Sequence, residues 1–139
     1  MNQTIRIENE ETLKRFISDA DGLHDALLHE AVLLHPGFVD ASGKMFGDFK
    51  LPDARMIFQS QFADIAAIQL DLKRVSRFRL EPKGEFRLEG EIASGEVSLF
   101  LLGKDKAGLS EIRAAEIEYR LLGNEFWGAE YHLIGVPTA

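Results

Sequence analysis

Residues 53–92 read DARMIFQSQFADIAAIQLDLKRVSRFRLEPKGEFRLEGEI, and their alternation decides the fold. Ala54, Met56, Phe58 and Phe62 share one parity, with Arg55, Gln59 and Gln61 on the other. Ile68, Leu70 and Leu72 alternate with Gln69, Asp71 and Lys73, and Phe78 and Leu80 with Arg77, Arg79 and Glu81. Phe86, Leu88 and Ile92 alternate with Glu85, Arg87, Glu89 and Glu91. Successive side chains of a strand point to opposite faces, so the pattern predicts three consecutive strands with one dry and one wet face. Residues 73–77 break the parity once, which predicts a bulge or tight bend inside a strand, not a new element.

Upstream, Leu51-Pro52-Asp53 is a break, because proline cannot donate to a ladder. Asp40, Ser42 and Gly43 are turn formers, so residues 38–44 read as a hairpin connection and 44–50 as a short strand pairing back. Residues 4–7 suit a short edge strand with Ile5 and Ile7 on one face. Then comes the one clear helix. Asn9 is placed to cap it, Glu10 and Glu11 sit in its first turn, and Leu13, Phe16, Ile17 and Ala20 form a buried stripe. Gly22 is its stop, and the helix is expected to cover a sheet face or an open edge.

Downstream, Ala93-Ser94-Gly95-Glu96 is a hairpin turn between two strong alternations. Residues 97–102 are apolar on both faces apart from Ser98, which predicts a strand central in its sheet. In residues 112–122, Ala115, Ile117, Tyr119 and Leu121 oppose Glu116, Glu118 and Arg120. Gly123-Asn124 turns the chain, and residues 126–134 close it. About eight or nine strands with a single N-terminal amphipathic helix predict a mostly β (α+β) fold, an antiparallel sandwich or a strongly curved sheet. At 139 residues it is read as one domain.

Composition narrows the function classes. Hydrophobic residues make up 45% and charged residues 28%, as in an ordinary globule. With no cysteine, disulfides, thiolate metal sites and cysteine nucleophiles are excluded. The first eight residues carry no apolar run, and no stretch is long enough to span a membrane as a helix, so the chain is expected to be cytoplasmic and of bacterial origin. A net charge of −7 argues against nucleic acid as a partner and suits a basic protein. No phosphate loop, dinucleotide fingerprint, nucleophile elbow or HExxH motif is present, and no cofactor is implied.

Three groups are candidates for chemistry. His24, Asp25, His29 and His35 lie within twelve residues, and on a helix Asp25 and His29 would share a face at a spacing metal pairs use. The plainer reading makes them solvated or singly hydrogen-bonded groups, with His24-Asp25 supplying turn and capping bonds. Residues 73–87 hold six basic against two acidic side chains, a net +4 that leaves −11 for the rest. Arg77 and Arg79 could form an anion or acidic-partner site, but cross-strand pairing with Glu85, Glu89 and Glu91 is the stronger expectation. Trp127, beside Phe126 and between Gly123 and Gly128, is either an exposed binding aromatic or a plug at the end of the core.

Residues 23–35 read equally as a helix, through Leu23, Leu27, Ala31 and Leu34, or as a strand apolar on both faces. Two segments bear on this: Gly22-Leu23-His24-Asp25-Ala26, and the run Leu70-x-Leu72-x-x-Val75-x-x-Phe78-x-Leu80. Together they resemble small bacterial proteins of uncharacterised function, some of whose relatives are regarded as immunity proteins that neutralise a partner toxin. In those proteins a His-Asp-Ala/Ser segment begins a strand, so the resemblance implies a strand for residues 23–35 and implies no catalytic residue. The leading expectation is a small protein-binding domain, immunity-type in its sharpest form. One alternative is a metal-dependent or acid–base enzyme using His24, Asp25 and His29. The other is a homo-oligomeric structural domain that buries an edge strand or Trp127 between copies.

Overall fold

The computed structural model describes residues 3–24, 26–47, 49–60, 65–81, 86–103 and 109–123. Its elements in chain order are β1 (Thr4–Ile7), α1 (Glu10–Asp19), a 3-10 turn (Asp21–Leu23), β2 (Ala26–Leu34), β3 (Phe38–Val39), β4 (Met45–Phe46), β5 (Asp53–Ser60), β6 (Ile65–Arg79), β7 (Phe86–Ala93), β8 (Glu96–Gly103) and β9 (Leu109–Gly123). Seven described strands form one antiparallel sheet in the order β2-β5-β6-β9-β8-β7, with β1 added on β9, while β3 and β4 pair with each other in a second, two-stranded sheet. The mostly β antiparallel architecture with one helix near the N-terminus agrees with the sequence pattern, and the strand expected over residues 23–35 runs from Ala26 to Leu34, with Leu23 in the 3-10 turn before it.

The two 15-residue strands β6 and β9 are the spine, and both change their buried parity at the same level. Leu72 opposite Ile117 is a buried pair, and so is Val75 opposite Ala114, so the parity of each strand switches between these rungs. Arg74 takes a left-handed φ of 53° there. The start of β5 straps the bend: the Val75 N–H donates to the Pro52 carbonyl at 2.8 Å, and the Arg74 N–H to Asp53 Oδ1 at 3.1 Å. A register shift between Val75 and Arg77 follows, the irregularity that residues 73–77 announce. The free edge of β9 changes neighbour at the same point, from β8 over residues 109–114 to β1 over residues 117–120. The sheet therefore consists of a half built on β1, β2 and β5 and a half built on β7 and β8, bent about a shared spine.

The core lies on one face, where α1 bridges the halves. Asn9 Oδ1 accepts from the Thr12 N–H at 2.9 Å and Thr12 Oγ1 from the Asn9 N–H at 3.0 Å, a reciprocal cap that starts the helix. Its buried stripe then sends Phe16 to Tyr119 of β9, with ring centroids 4.8 Å apart, and Leu13 to the far side. A Cβ on Gly90 of β7 would lie 2.8 Å from Leu13 Cδ1 and 3.1 Å from the Ser98 carbonyl oxygen, so a side chain there would have to displace the tip of Leu13. Met56, Phe58, Ile68, Leu70, Leu99 and Ile112 complete this core. A smaller buried group, Ile57, Ala67 and Leu122, lies apart from it.

The Tyr119 hydroxyl donates to Asp19 Oδ2 at 2.7 Å. Burial first, and then this hydrogen bond to a carboxylate, raise the phenol above its ordinary value, while Arg15 opposes the shift. A folded-state pKa above the unfolded value keeps the phenol protonated in the folded chain while the unfolded chain releases its proton, so stability falls as pH rises. The contribution is complete below about pH 10 and fades above it by about 1.4 kcal/mol per pH unit until the folded phenol also ionises. Chemical unfolding of the wild type and Tyr119→Phe across that range is expected to show the difference between them moving against the wild type. Parallel pH curves would show that Tyr119 is not held neutral.

Candidate functional site

Every large hydrophobic side chain that is exposed among the described residues lies between Leu27 and Leu51. The backbone explains the concentration. In the main sheet β2 pairs with β5, and no other described strand pairs with its second edge. The β2–β5 register shifts between Leu28 and Glu30, so His29 is the extra residue of a bulge. Leu28 lies opposite Phe58 on the core side, whereas beyond the bulge Ala31 and Leu33, opposite Met56 and Ala54, take the core side. Val32 and Leu34, opposite Arg55 and Asp53, consequently lie on the outer face. Apolar residues are consecutive from Ala31 to Leu34, so both faces of this strand are apolar, and the bulge decides which of them face the core.

The chain then leaves the sheet through Pro36 and Gly37 into a two-stranded arm, β3 and β4. The Gly37 N–H donates to His35 Nδ1 at 2.8 Å, and a Cβ on Gly37 would meet both the His35 ring and the Phe46 carbonyl oxygen at 2.8 Å. The base of the arm is thus a close crossing that only glycine permits. At the tip, Asp40 Oδ1 accepts from the Ser42 hydroxyl at 2.7 Å and from the Ser42 and Lys44 N–H groups at 2.9 Å each. These bonds, the Ser42 hydroxyl foremost, hold the Asp40 carboxyl below its ordinary pKa. Between base and tip, Phe38 and Phe46 stack at 5.1 Å, Val39 faces Met45, and Lys44 Nζ lies 5.2 Å from the Phe46 ring centre. Phe38, Val39, Met45 and Phe46 are all exposed, and Phe49 just beyond them is 96% exposed. A two-stranded ribbon alone is marginal in water, and this one carries apolar groups on both faces.

Where β2 meets the arm, a cavity of about 540 Å³ opens, lined by Val32, Leu34, His35 and Pro36 on one side. Asp53, Arg55, Asp71, Lys73 and Glu118 also line it. Its charges are organised in pairs: Arg55 Nε to Asp71 Oδ1 at 2.6 Å, with Gln69 Nε2 on the other Asp71 oxygen at 3.0 Å, and Lys73 Nζ to Asp53 Oδ2 at 3.5 Å.

The residues singled out from sequence are dispersed. His24 is exposed at the end of the 3-10 turn and His29 is exposed at the β2 bulge. At roughly 3.3 Å per strand residue, the three steps from Ala26 to His29 carry the second imidazole about 10 Å along the edge. Among the described residues no group of three or more His, Asp or Glu could hold a metal ion. Asp25 and Trp127 lie outside the described residues. Arg77 Nη1 meets Glu111 Oε2 of β9 at 2.8 Å, and Arg79 Nη2 meets Glu81 Oε1 at 2.8 Å. The expected cross-strand pairing of these arginines with β7 is corrected here, because β9 lies beside β6 and β7 pairs with β8. The buried Glu111 also takes Arg113 at 3.4 Å, and elsewhere in the run Lys73 pairs with Asp53, Arg74 with Glu116 and Arg87 with Glu89.

Of the described sequence candidates, His29 falls on the β2 edge and His35 at the base of the arm. The signal for the rest was Phe38, Val39, Met45, Phe46, Phe49 and Leu51, six large apolar residues inside a segment bounded by Pro36-Gly37 and Pro52. A connection of such composition is more apolar than a solvated loop requires. No family model, curated protein or solved structure matches the chain. No described helix is long and apolar enough to cross a membrane.

Proposed function

We propose that this protein is a protein-binding domain that works through the open edge of β2 and the β3–β4 arm. One observation carries the reading: the exposed large hydrophobic side chains are gathered on this single stretch. Contiguous apolar surface beyond a few hundred Å² marks an interaction site on soluble proteins. Where the occupant is a different protein, the net charge of −7 favours a basic one, as immunity-type neutralisation would require. The enzyme alternative lacks support of this kind, since among the described residues no group of three or more His, Asp or Glu could hold a metal ion.

The test is capture on the immobilised full chain, from a lysate of its own cell supplemented with a differently tagged copy. Near-stoichiometric capture of one protein, that copy included, is expected for the wild type. Loss is expected for the double variant Leu34→Asp/Phe49→Asp, which places two charges on the exposed apolar surface. Capture of a basic partner should weaken with salt, because attraction between exposed charges is screened within a Debye length. Retention of nothing by the wild type, or equal retention by the variant, would remove the reading.

A further inference from the structure

We propose that the cavity beside β2 is a pocket for a basic side chain, arginine or lysine, presented by the protein that docks on β2 and the arm, with Glu118 as its counter-ion. The inference rests on the protein-binding reading above and names the chemistry by which that surface selects its partner.

The floor of the cavity is the outer face of the sheet. Val32 of β2 lies opposite Arg55 of β5, Arg55 opposite Asp71 of β6, and Asp71 opposite Glu118 of β9, so one row crosses four strands. Leu34 opposite Asp53 begins the next row. The carboxylates of the cavity are not equivalent. Both oxygens of Asp71 are occupied, one by Arg55 Nε at 2.6 Å and the other by Gln69 Nε2 at 3.0 Å, and Asp53 holds Lys73 at 3.5 Å. Glu118 is the third, and among the described residues no cation pairs with it. Arg6, opposite Glu118 in the β1–β9 register, is drawn to Glu116 at 3.1 Å, and Arg74 meets the same carboxylate at 3.3 Å. Two guanidinium groups therefore serve Glu116 and none serves Glu118. Asp71 and Glu118 also face each other directly across the β6–β9 pair, and like charges so placed repel. With His35 counted neutral, the lining holds three carboxylates against two cations, so one added positive charge balances it. An anionic group would instead meet Glu118 and Asp71.

Shape sets the length of the occupant. At about 4.8 Å between neighbouring strands, Glu118 lies roughly 14 Å from Val32 along the row. A group that enters over β2 reaches it only on a long stem. Arginine and lysine carry their charge on such stems, which cover apolar surface while the head stays among polar groups. Val32, Leu34 and Pro36 supply that surface on the β2 side. The volume of about 540 Å³ is within the range of pockets that enclose a ligand.

The experiment is a nuclear magnetic resonance titration of the full chain with N-acetyl-arginine amide and with its neutral isostere N-acetyl-citrulline amide, at constant ionic strength, with the capture assay alongside. Wild type, Glu118→Gln and Glu10→Gln are compared. The first substitution keeps the side-chain shape and removes one charge from the cavity, and the second removes one charge from the exposed first turn of α1. Saturable shifts with the arginine probe are expected at the amides of Val32, Leu34 and Glu118. Binding is expected to be about fivefold weaker for the citrulline probe and for Glu118→Gln, with Glu10→Gln unchanged and the captured protein retained in the same order. No saturable shift, equal binding of the two probes, or equal binding by Glu118→Gln and wild type would overturn the pocket. Capture that is still lost in Leu34→Asp/Phe49→Asp would then leave the protein-binding reading standing. Probe binding without any effect of Glu118→Gln on the captured protein would overturn the assignment of the pocket to that partner. A wild type that captures nothing would overturn both readings.

Discussion

Phe16→Ala is expected to destabilise the fold by about 3–5 kcal/mol, the range for truncating a fully buried phenylalanine. Phe16 is completely buried and sits where α1 meets Tyr119 at a ring separation of 4.8 Å. Leu13, one turn earlier, presses on the Gly90 backbone of β7. The helix is the only described helix of more than one turn, and together with the 3-10 turn, which also packs on β7, it ties together the two parts of the sheet that share the β6–β9 spine. Neighbouring side chains cannot close the gap without moving the helix away from one half, so the cavity persists and its cost adds to the lost transfer energy. Domains of this size have a total stability of roughly 5–15 kcal/mol, and the variant should therefore melt some 10–20 °C below the wild type. Lys14→Ala, on the exposed face of the same helix, should stay within about 0.5 kcal/mol. Thermal and urea unfolding read both. A loss below about 1 kcal/mol for Phe16→Ala would mean that the helix does not hold the halves together.

Much of this fold was legible because local alternation is a direct image of a one-sided sheet. Met56 and Phe58, and Leu70 and Leu72, are buried on the parity their spacing announces. The hairpin at Ser94-Gly95 follows from residues that tolerate positive φ, here 54° and 76°. Helix α1 follows from its cap and stripe. Pairing between distant strands leaves no such local trace. The insertion of β9 beside β6 assigns Arg77 to Glu111, thirty-four residues away, and nothing in residues 73–92 signals it. The simultaneous parity switch at Val75 and Ala114 is likewise a property of two strands together. Within β9 alone, the odd positions 115–121 look like one continuous face, whereas burial passes from Ile112 and Ala114 to Ile117 and Tyr119.

The candidate surface was hidden for a different physical reason. Asp40, Ser42 and Gly43 do form the tight turn their chemistry predicts, and a segment that turns is easily read as mere connection. Apolar side chains in such a segment raise the question of burial, but only the three-dimensional arrangement shows that Phe38, Val39, Met45 and Phe49 remain exposed. In β2 the consecutive apolar residues 31–34 give no alternation, and the bulge at His29 shifts which of them face the core, so the strand left no clear local pattern.

The second large effect concerns that edge and is read by amide hydrogen exchange. In an antiparallel pair only alternate N–H groups of an edge strand point to its neighbour, so those of β2 that point away from β5 have no described strand beside them. Occupation of the edge must satisfy them, because burying an unpaired N–H is costly. At a concentration one hundred times the dissociation constant, binding adds about 2.7 kcal/mol, which slows exchange about a hundredfold. The measurement is residue-resolved exchange on the full chain at high dilution and again with the surface saturated, by its own concentration or by the protein it captures. The expected result is slowing of about that size confined to the outward amides of Glu30 to Leu34 and to the arm, with the β6–β9 spine unchanged, and its absence in Leu34→Asp/Phe49→Asp. Equal exchange at the β2 edge and the arm in both states, or slowing confined to another face of the sheet, would contradict a protein-binding role for this surface.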